Sequence, residues 1–323
     1  MGFESLTFPR RLWLLPLAAL AAAAATATAP ALATPAGKAG LAGDSVAEAA
    51  AQPEPRPALW LLADDDTRIY MFGTIHVLPP GFRWRSPAVD RAVGEAAELV
   101  VETYDPPGSD RSLDSTPGFF ADHPVPILER VPQDKRKPLR AAIQAAGLPI
   151  DFLDRMHSWA AAMTLGVAQM LGDYGVDDPA EAPGVEDVLE ETFRGAGKPI
   201  LSVEDGDAVF ASLSALPQAV QTQLLVEAIA PTPPPQDSPP PAGELEWVAG
   251  NDEAMDLERE AGFPPALFDV LVRRRNAAWT AWLEERLKKP GTVLFAVGAG
   301  HLAGRESVQA MLARRGLSVT RVD

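Results

Sequence analysis

The chain has 323 residues, with 28 Lys and Arg against 44 Asp and Glu, a net charge of −16, 47% hydrophobic residues and no cysteine. Such acidity excludes the basic stripe that phosphate binding needs, so nucleic acid is not an expected partner. Without cysteine there is no disulfide framework, thiolate metal site or thiol nucleophile, and a bound metal would have to use imidazole and oxygen.

The N-terminus reads as an export signal over residues 1–33: Arg10 and Arg11 precede an apolar run at 12–25, and Ala31-Leu32-Ala33 supplies small residues for cleavage. The run is shorter than the roughly 20 residues that span a bilayer, so no stable membrane span is expected after cleavage. The arginine pair also hints at the twin-arginine route. Removing Glu4, Arg10 and Arg11 takes a net charge of +1 from −16 and leaves −17. Residues 34–57, rich in Ala, Pro and Gly, read as an unstructured spacer, and 58–323 as a single domain in the periplasm or outside the cell.

Within that domain, apolar runs at Leu59–Leu62, Arg68–Phe72, Glu98–Val101, Pro199–Val203, Val293–Val297 and Leu317–Val322 read as strands. Helical periodicity covers Asp134–Ala146, Ser158–Leu171, Val185–Arg194, Asp207–Leu216, Gln218–Ile229, Leu245–Glu260 and Ala266–Leu287. Between two of these, 231–243 (PTPPPQDSPPPAG) holds seven prolines in thirteen residues, which suits neither helix nor central strand and reads as a surface connection, with a proline-rich ligand for a partner as the alternative.

The two ends of the domain share a pattern. Strand, Gly73-Thr74-Ile75-His76, helix Pro87–Ala97 and strand parallels strand, Gly298-Ala299-Gly300-His301, helix Arg305–Arg315 and strand. Such units make parallel pairs with right-handed crossovers and bind ligands at the carboxyl ends of their strands, which places both histidines on one rim. The expected fold is therefore α/β, a mixed or mostly parallel sheet with a large central helical region. Glycine in each turn is read as allowing a sharp exit or a positive φ.

Two of the four histidines sit in these turns; His123 and His157 have no comparable setting and read as structural or surface residues. Glu102 ends its strand on the same rim and completes a set of two imidazoles and one carboxylate. Glu204 and Asp205 end another strand, Glu204 as ligand or general base and Asp205 as a helix cap. On Ala266–Leu287, Arg275 and Asn276 could project into a cleft, while Trp279 and Trp282 read as core. No Gly-x-Ser-x-Gly elbow, His-Glu-x-x-His helix or Gly-x-x-x-x-Gly-Lys loop occurs.

Three segments, LWLLADDDTRIYMFGTIHVLPPGFRW, GVEDVLEETFRGAGKPILSVED and RRRNAAWTAWLEERLKKPGTVLFAVGAGHLAG, resemble the TraB and GumN group, which is related to the Tiki metalloproteases. The resemblance implies the α/β fold shared with erythromycin esterase and ChaN-like proteins. It implies a metal site of His76, His301 and Glu102, supported by Arg275 and Asn276, with Glu204 as an acid or base and Asp205 standing where the group has threonine. It further implies a peptidase acting on a peptide or protein substrate with manganese or cobalt rather than zinc. Two rivals stay open: a binding or polysaccharide-assembly accessory of the envelope, and a metal-free hydrolase in which a histidine is the general base.

Overall fold

The structure, a computed structural model, describes residues 52, 54–109, 116–176, 178–229, 242–259 and 263–323. Residues 1–33, read above as an export signal, most of the stretch 34–57 read as a spacer, and residues 231–241 of the proline-rich stretch lie outside the described residues. The elements in chain order begin with β1 (Leu59–Ala63), β2 (Thr67–Thr74), α1 (Pro87–Glu95) and β3 (Glu98–Val101). The central part comprises α2 (Arg136–Ala145), α3 (Ile150–Arg155), α4 (Ser158–Asp173), α5 (Val185–Gly195), β4 (Ile200–Ser202), α6 (Gly206–Ser214), α7 (Gln218–Glu227), α8 (Ala242–Val248) and α9 (Pro265–Phe268). The chain closes with α10 (Arg274–Leu287), β5 (Gly291–Gly298), α11 (Val308–Arg314) and β6 (Val319–Arg321).

Six strands form one sheet in the order β4-β3-β5-β2-β1-β6, which bears out the α/β expectation. Five of them, β4, β3, β5, β2 and β6, run in one direction, and β1 alone is reversed, antiparallel to both of its neighbours, β2 and β6. The two strand-helix-strand units interleave: β5 lies between β2 and β3, so neither unit pairs its own two strands. Interleaving makes the strands that end in Gly-x-x-His direct neighbours, with Gly73 opposite Val297 and Thr74 opposite Gly298.

β2 and β5 are buried along nearly their whole length, as central parallel strands covered on both faces should be. Their side chains alternate between two cores. Tyr70, Phe72, Leu294 and Ala296 meet Val89 and Val93 of α1 and Leu189 and Phe193 of α5. Ile69, Met71, Val293, Phe295 and Val297 meet Trp279 and Leu283 of α10 and Val308 and Leu312 of α11. A third core joins the central helices around Trp159, Phe119 and Phe210.

Two expected helices differ. Leu245–Glu260 is not continuous: α8 stops at Val248, Gly250 takes φ +79°, and a 3-10 turn follows over Asp252–Met255. Glycine past the last turn supplies the left-handed residue that ends a helix, and a Cβ at Gly250 would lie 2.5 Å from the Arg56 carbonyl oxygen. The long helix Ala266–Leu287 is α9 and α10 joined through a π-turn over Asp269–Arg273. A π-turn inserts an extra residue into the helical register and so re-aims everything after it, beginning with Arg274 and Arg275.

Candidate functional site

All of the side chains singled out as site residues come from the carboxyl edge of the sheet or from α10 beside it. Glu102 follows β3, and Glu204 follows β4, its backbone N–H donating to the Glu102 carbonyl. His301 lies in a 3-10 turn, Ala299–Leu302, directly after β5. The expectation that both histidines share one rim is met. Asp205 caps α6 by accepting from Asp207 N at 3.0 Å.

Gly298 is the floor of the site. A Cβ built on it would lie 3.2 Å from Glu102 Oε1, 3.3 Å from His76 Nε2 and 3.6 Å from His301 Cδ2. Its backbone N–H donates to Glu102 Oε1 at 2.8 Å. The expected use of positive φ is corrected here: Gly298 has φ −49°, and neither it nor Gly73 is among the positive-φ glycines. Both positions need space instead, since a Cβ on Gly73 would press on the Ala299 backbone at 3.0 Å.

His301 is fixed by α10. The Asn276 amide nitrogen donates to the carbonyls of His301 and Glu306, at 3.1 and 2.7 Å, which turns its oxygen toward His301 Nδ1 at 2.6 Å. Nδ1 therefore carries the proton, and Nε2 presents a lone pair that accepts from Arg275 Nη1 at 3.1 Å. Trp279 lies against the ring, with centroids 4.4 Å apart. Burial and the nearby Arg275 charge push the imidazole down to about 3, so His301 is neutral at physiological pH.

His76 is held differently. Its Nδ1 donates to Glu186 Oε1 at 2.6 Å, and Thr74 Oγ1 donates to the same oxygen. Burial alone would lower the imidazole, but the Glu186 charge and hydrogen bond outweigh it and hold His76 at about 9. Glu186 sits in the first turn of α5, brought against the histidine turn by Val185 N donating to Ile75 O at 2.9 Å. The approach requires Gly184, where a Cβ would lie 2.0 Å from the His76 carbonyl oxygen.

Arg275 is buried at the centre, and every guanidinium N–H has an acceptor. Nε donates to Glu204 Oε2 at 2.9 Å, Nη2 to Glu204 Oε1 at 2.5 Å and to Glu102 Oε2, and Nη1 to Leu271 O at 3.1 Å as well as to His301. Trp279 Nε1 closes the network by donating to Glu204 Oε2 at 3.0 Å. Burial opposes charge on Glu102, yet Arg275 and then the histidines hold its carboxyl well below the usual range. At Glu204 burial prevails and pushes the carboxyl up, against the pull of Arg275.

These contacts bear on the divalent metal that the resemblance implies. His301 Nε2 already accepts from Arg275, and Glu102 gives one oxygen to Arg275 and the other to Gly298 N–H. Among the described residues no group of three or more His, Asp or Glu side chains is arranged to hold a metal ion. As arranged, the set does not fit a bound divalent cation, because a guanidinium already sits among its donors.

The structure thus brings together His76, His301, Glu102, Glu204, Arg275 and Asn276, and adds Glu186, Thr74 and Trp279, which no motif in the sequence marks as site residues. An acidic residue in the first turn after Gly184 was the available signal for Glu186, but it reads equally as a favourable helix start. His123 is exposed, and His157 precedes α4, its N–H on the Phe119 carbonyl; neither joins the site.

An α/β protein with paired Gly-x-x-His turns converging on a buried arginine and two carboxylates is the class that fold and site define. Residues 58–321 match the TraB/PrgY/gumN family, and the chain belongs to it. It is 26% identical over 279 residues to "Uncharacterized protein YbaP" of Escherichia coli K12, spanning 79% of this chain and 92% of that protein. The YbaP of Shigella flexneri is similar to the same extent, 26% identical over 279 residues. No solved structure matches.

Proposed function

We propose that the protein is an exported hydrolase of a peptidase-like kind that adds water across a carbonyl carbon–nitrogen bond. One observation carries the reading: two imidazoles of opposite character face the same small space above Gly298, beside a buried cation. Groups whose surroundings push their proton affinities apart divide into acid and base. His301, neutral, takes the proton of the attacking water at Nε2 once that water replaces the Arg275 N–H there, and the water oxygen bonds to the carbonyl carbon. Arg275 and the His76 imidazolium oppose the negative charge that develops on the carbonyl oxygen. His76 Nε2–H then protonates the leaving nitrogen as its bond to carbon breaks. Glu186 and Asn276 orient the two rings from behind. The leader read at residues 1–33 supports action outside the cytoplasm.

The test is a peptide-library cleavage assay on the mature chain, its His76→Ala and His301→Ala variants, and cooperative thermal unfolding of all three. Each variant should lose about 10²- to 10⁴-fold in rate, the range expected for a general acid or base, while still unfolding cooperatively. Full activity in either folded variant sinks the assignment. Tight peptide binding with no cleavage by the wild type would instead favour an envelope binding protein.

A further inference from the structure

The residue types at this site are those a divalent ion would select, although among the described residues they are not arranged to hold one. Glu102, Glu204 and His301 offer two carboxylates and an imidazole lone pair, the oxygen and nitrogen ligands that suit manganese, cobalt or zinc. All three point at the Arg275 guanidinium. Arg275 is not a surface arginine that has drifted inward: its side chain is 12% exposed, and it lies over the Trp279 ring with its carbon 4.8 Å from the centroid. The π-turn before α10 sets its position, and Asn276, the next residue, locks His301 on the adjacent side. A planar fork with five donors binds Glu204 bidentately and reaches Glu102 and His301 as well, four contacts that the three donors of a lysine ammonium could not make.

We infer that Arg275 is the resident cation of this site, standing among Glu102, Glu204 and His301 where a divalent metal would otherwise bind, so that the protein works without one. The inference draws its catalytic consequence from the hydrolase reading; the claim about metal stands independently. A fixed guanidinium supplies positive charge at constant dose, insensitive to metal supply and to chelators. It also protects the two carboxylates from metals encountered outside the cytoplasm. Removing it leaves Glu102 and Glu204 facing each other across a buried space with His301, a vacated set of hard and borderline ligands.

The experiment needs no substrate, so its failure is separate from failure of the hydrolase reading. Mature protein stripped with a chelator is titrated calorimetrically with Mn²⁺ and, separately, Zn²⁺, and its metal content is measured after dialysis. Wild type should retain neither ion and show no shift in Tm with either. Arg275→Met, which removes the charge and keeps most of the bulk, should gain affinity by about 10- to 100-fold, the scale on which neighbours of metal ligands act. Adding His301→Ala to it should abolish the gain. Stoichiometric binding by wild type that disappears in His301→Ala overturns the inference, as does a folded Arg275→Met that binds no better than wild type. Should Arg275→Met fail to fold, the wild-type titration with its His301→Ala control decides alone.

Discussion

The two Gly-x-x-His turns leave neighbouring parallel strands and deliver histidines to one space, yet they arrive in opposite states. At the first turn a carboxylate, Glu186, stands behind His76 and holds it at about 9. At the second an amide, Asn276, stands behind His301, and burial together with the Arg275 charge at its other nitrogen holds the ring at about 3. The shared motif therefore specifies where the backbone exits and where the ring is placed. The charge comes from elements distant in sequence, α5 for one turn and α10 for the other.

The glycines around the turns offer the sharpest way to break this comparison. Gly184→Ala would drive a methyl group to 2.0 Å from the His76 carbonyl oxygen, a backbone atom that cannot rotate away. Overpacking of this kind costs about 3 kcal/mol or more and should displace α5, and Glu186 with it, from the first turn. Gly298→Ala meets only side-chain atoms, at 3.2 Å and beyond, and its φ of −49° suits alanine. Denaturant unfolding should show a large loss for Gly184→Ala and a small one for Gly298→Ala, whereas cleavage should fall in both. Equal stability losses would mean that the first turn is not held by the close approach of α5.

Exchanging the partners sharpens the same contrast. Glu186→Gln keeps an acceptor for His76 but removes its charge, and Asn276→Asp places a charge behind His301. A neighbouring opposite charge moves a proton affinity by about 1 to 3 pH units, so His76 should fall and His301 should rise toward each other. Histidine ring proton NMR titration of the two variants measures this directly. Unmoved titrations would show that burial and Arg275, not the partners, distinguish the two rings.

Much of this arrangement is legible in the sequence. Strand ends announce themselves through apolar runs that stop at Gly73, Gly298, Glu102 and Glu204, and each of those positions lies at the site. What escapes a linear reading is adjacency. Nothing in either strand-helix-strand unit says that β5 inserts between β2 and β3, because strand order is decided by packing across the whole sheet. Glu186 escapes for a related reason: a first-turn acid stabilises a helix whether or not a histidine waits opposite. The π-turn before Arg274 is invisible to a count of apolar positions, since one inserted residue shifts the helical face without changing composition. The resemblance implies only a supporting role for Arg275; its bonds to both carboxylates and to His301 make it the centre.

The smallest expected effect concerns stability against pH, where the two turns pull in opposite directions. His76 has a folded value of about 9 against an ordinary value of 6.5. Its contribution is complete below the ordinary value and is lost as pH rises from there toward 9. For His301 the folded value is about 3 against 6.5, so folding excludes a proton that the unfolded chain takes up. Its neutral form is tolerated without cost above the ordinary value, and stability is lost as pH falls from there toward 3. Together the histidines place a stability maximum near their ordinary value, with a decline of about 1 kcal/mol over the first pH unit on either side. Other groups add their own slopes, so the decisive quantity is a difference between curves. Subtracting the unfolding free energies of His76→Gln from those of wild type should flatten the alkaline limb alone, and His301→Gln the acid limb alone. If each substitution altered both limbs alike, the two imidazoles would be titrating as one coupled pair, and the division into a proton donor and a proton acceptor would have to be abandoned.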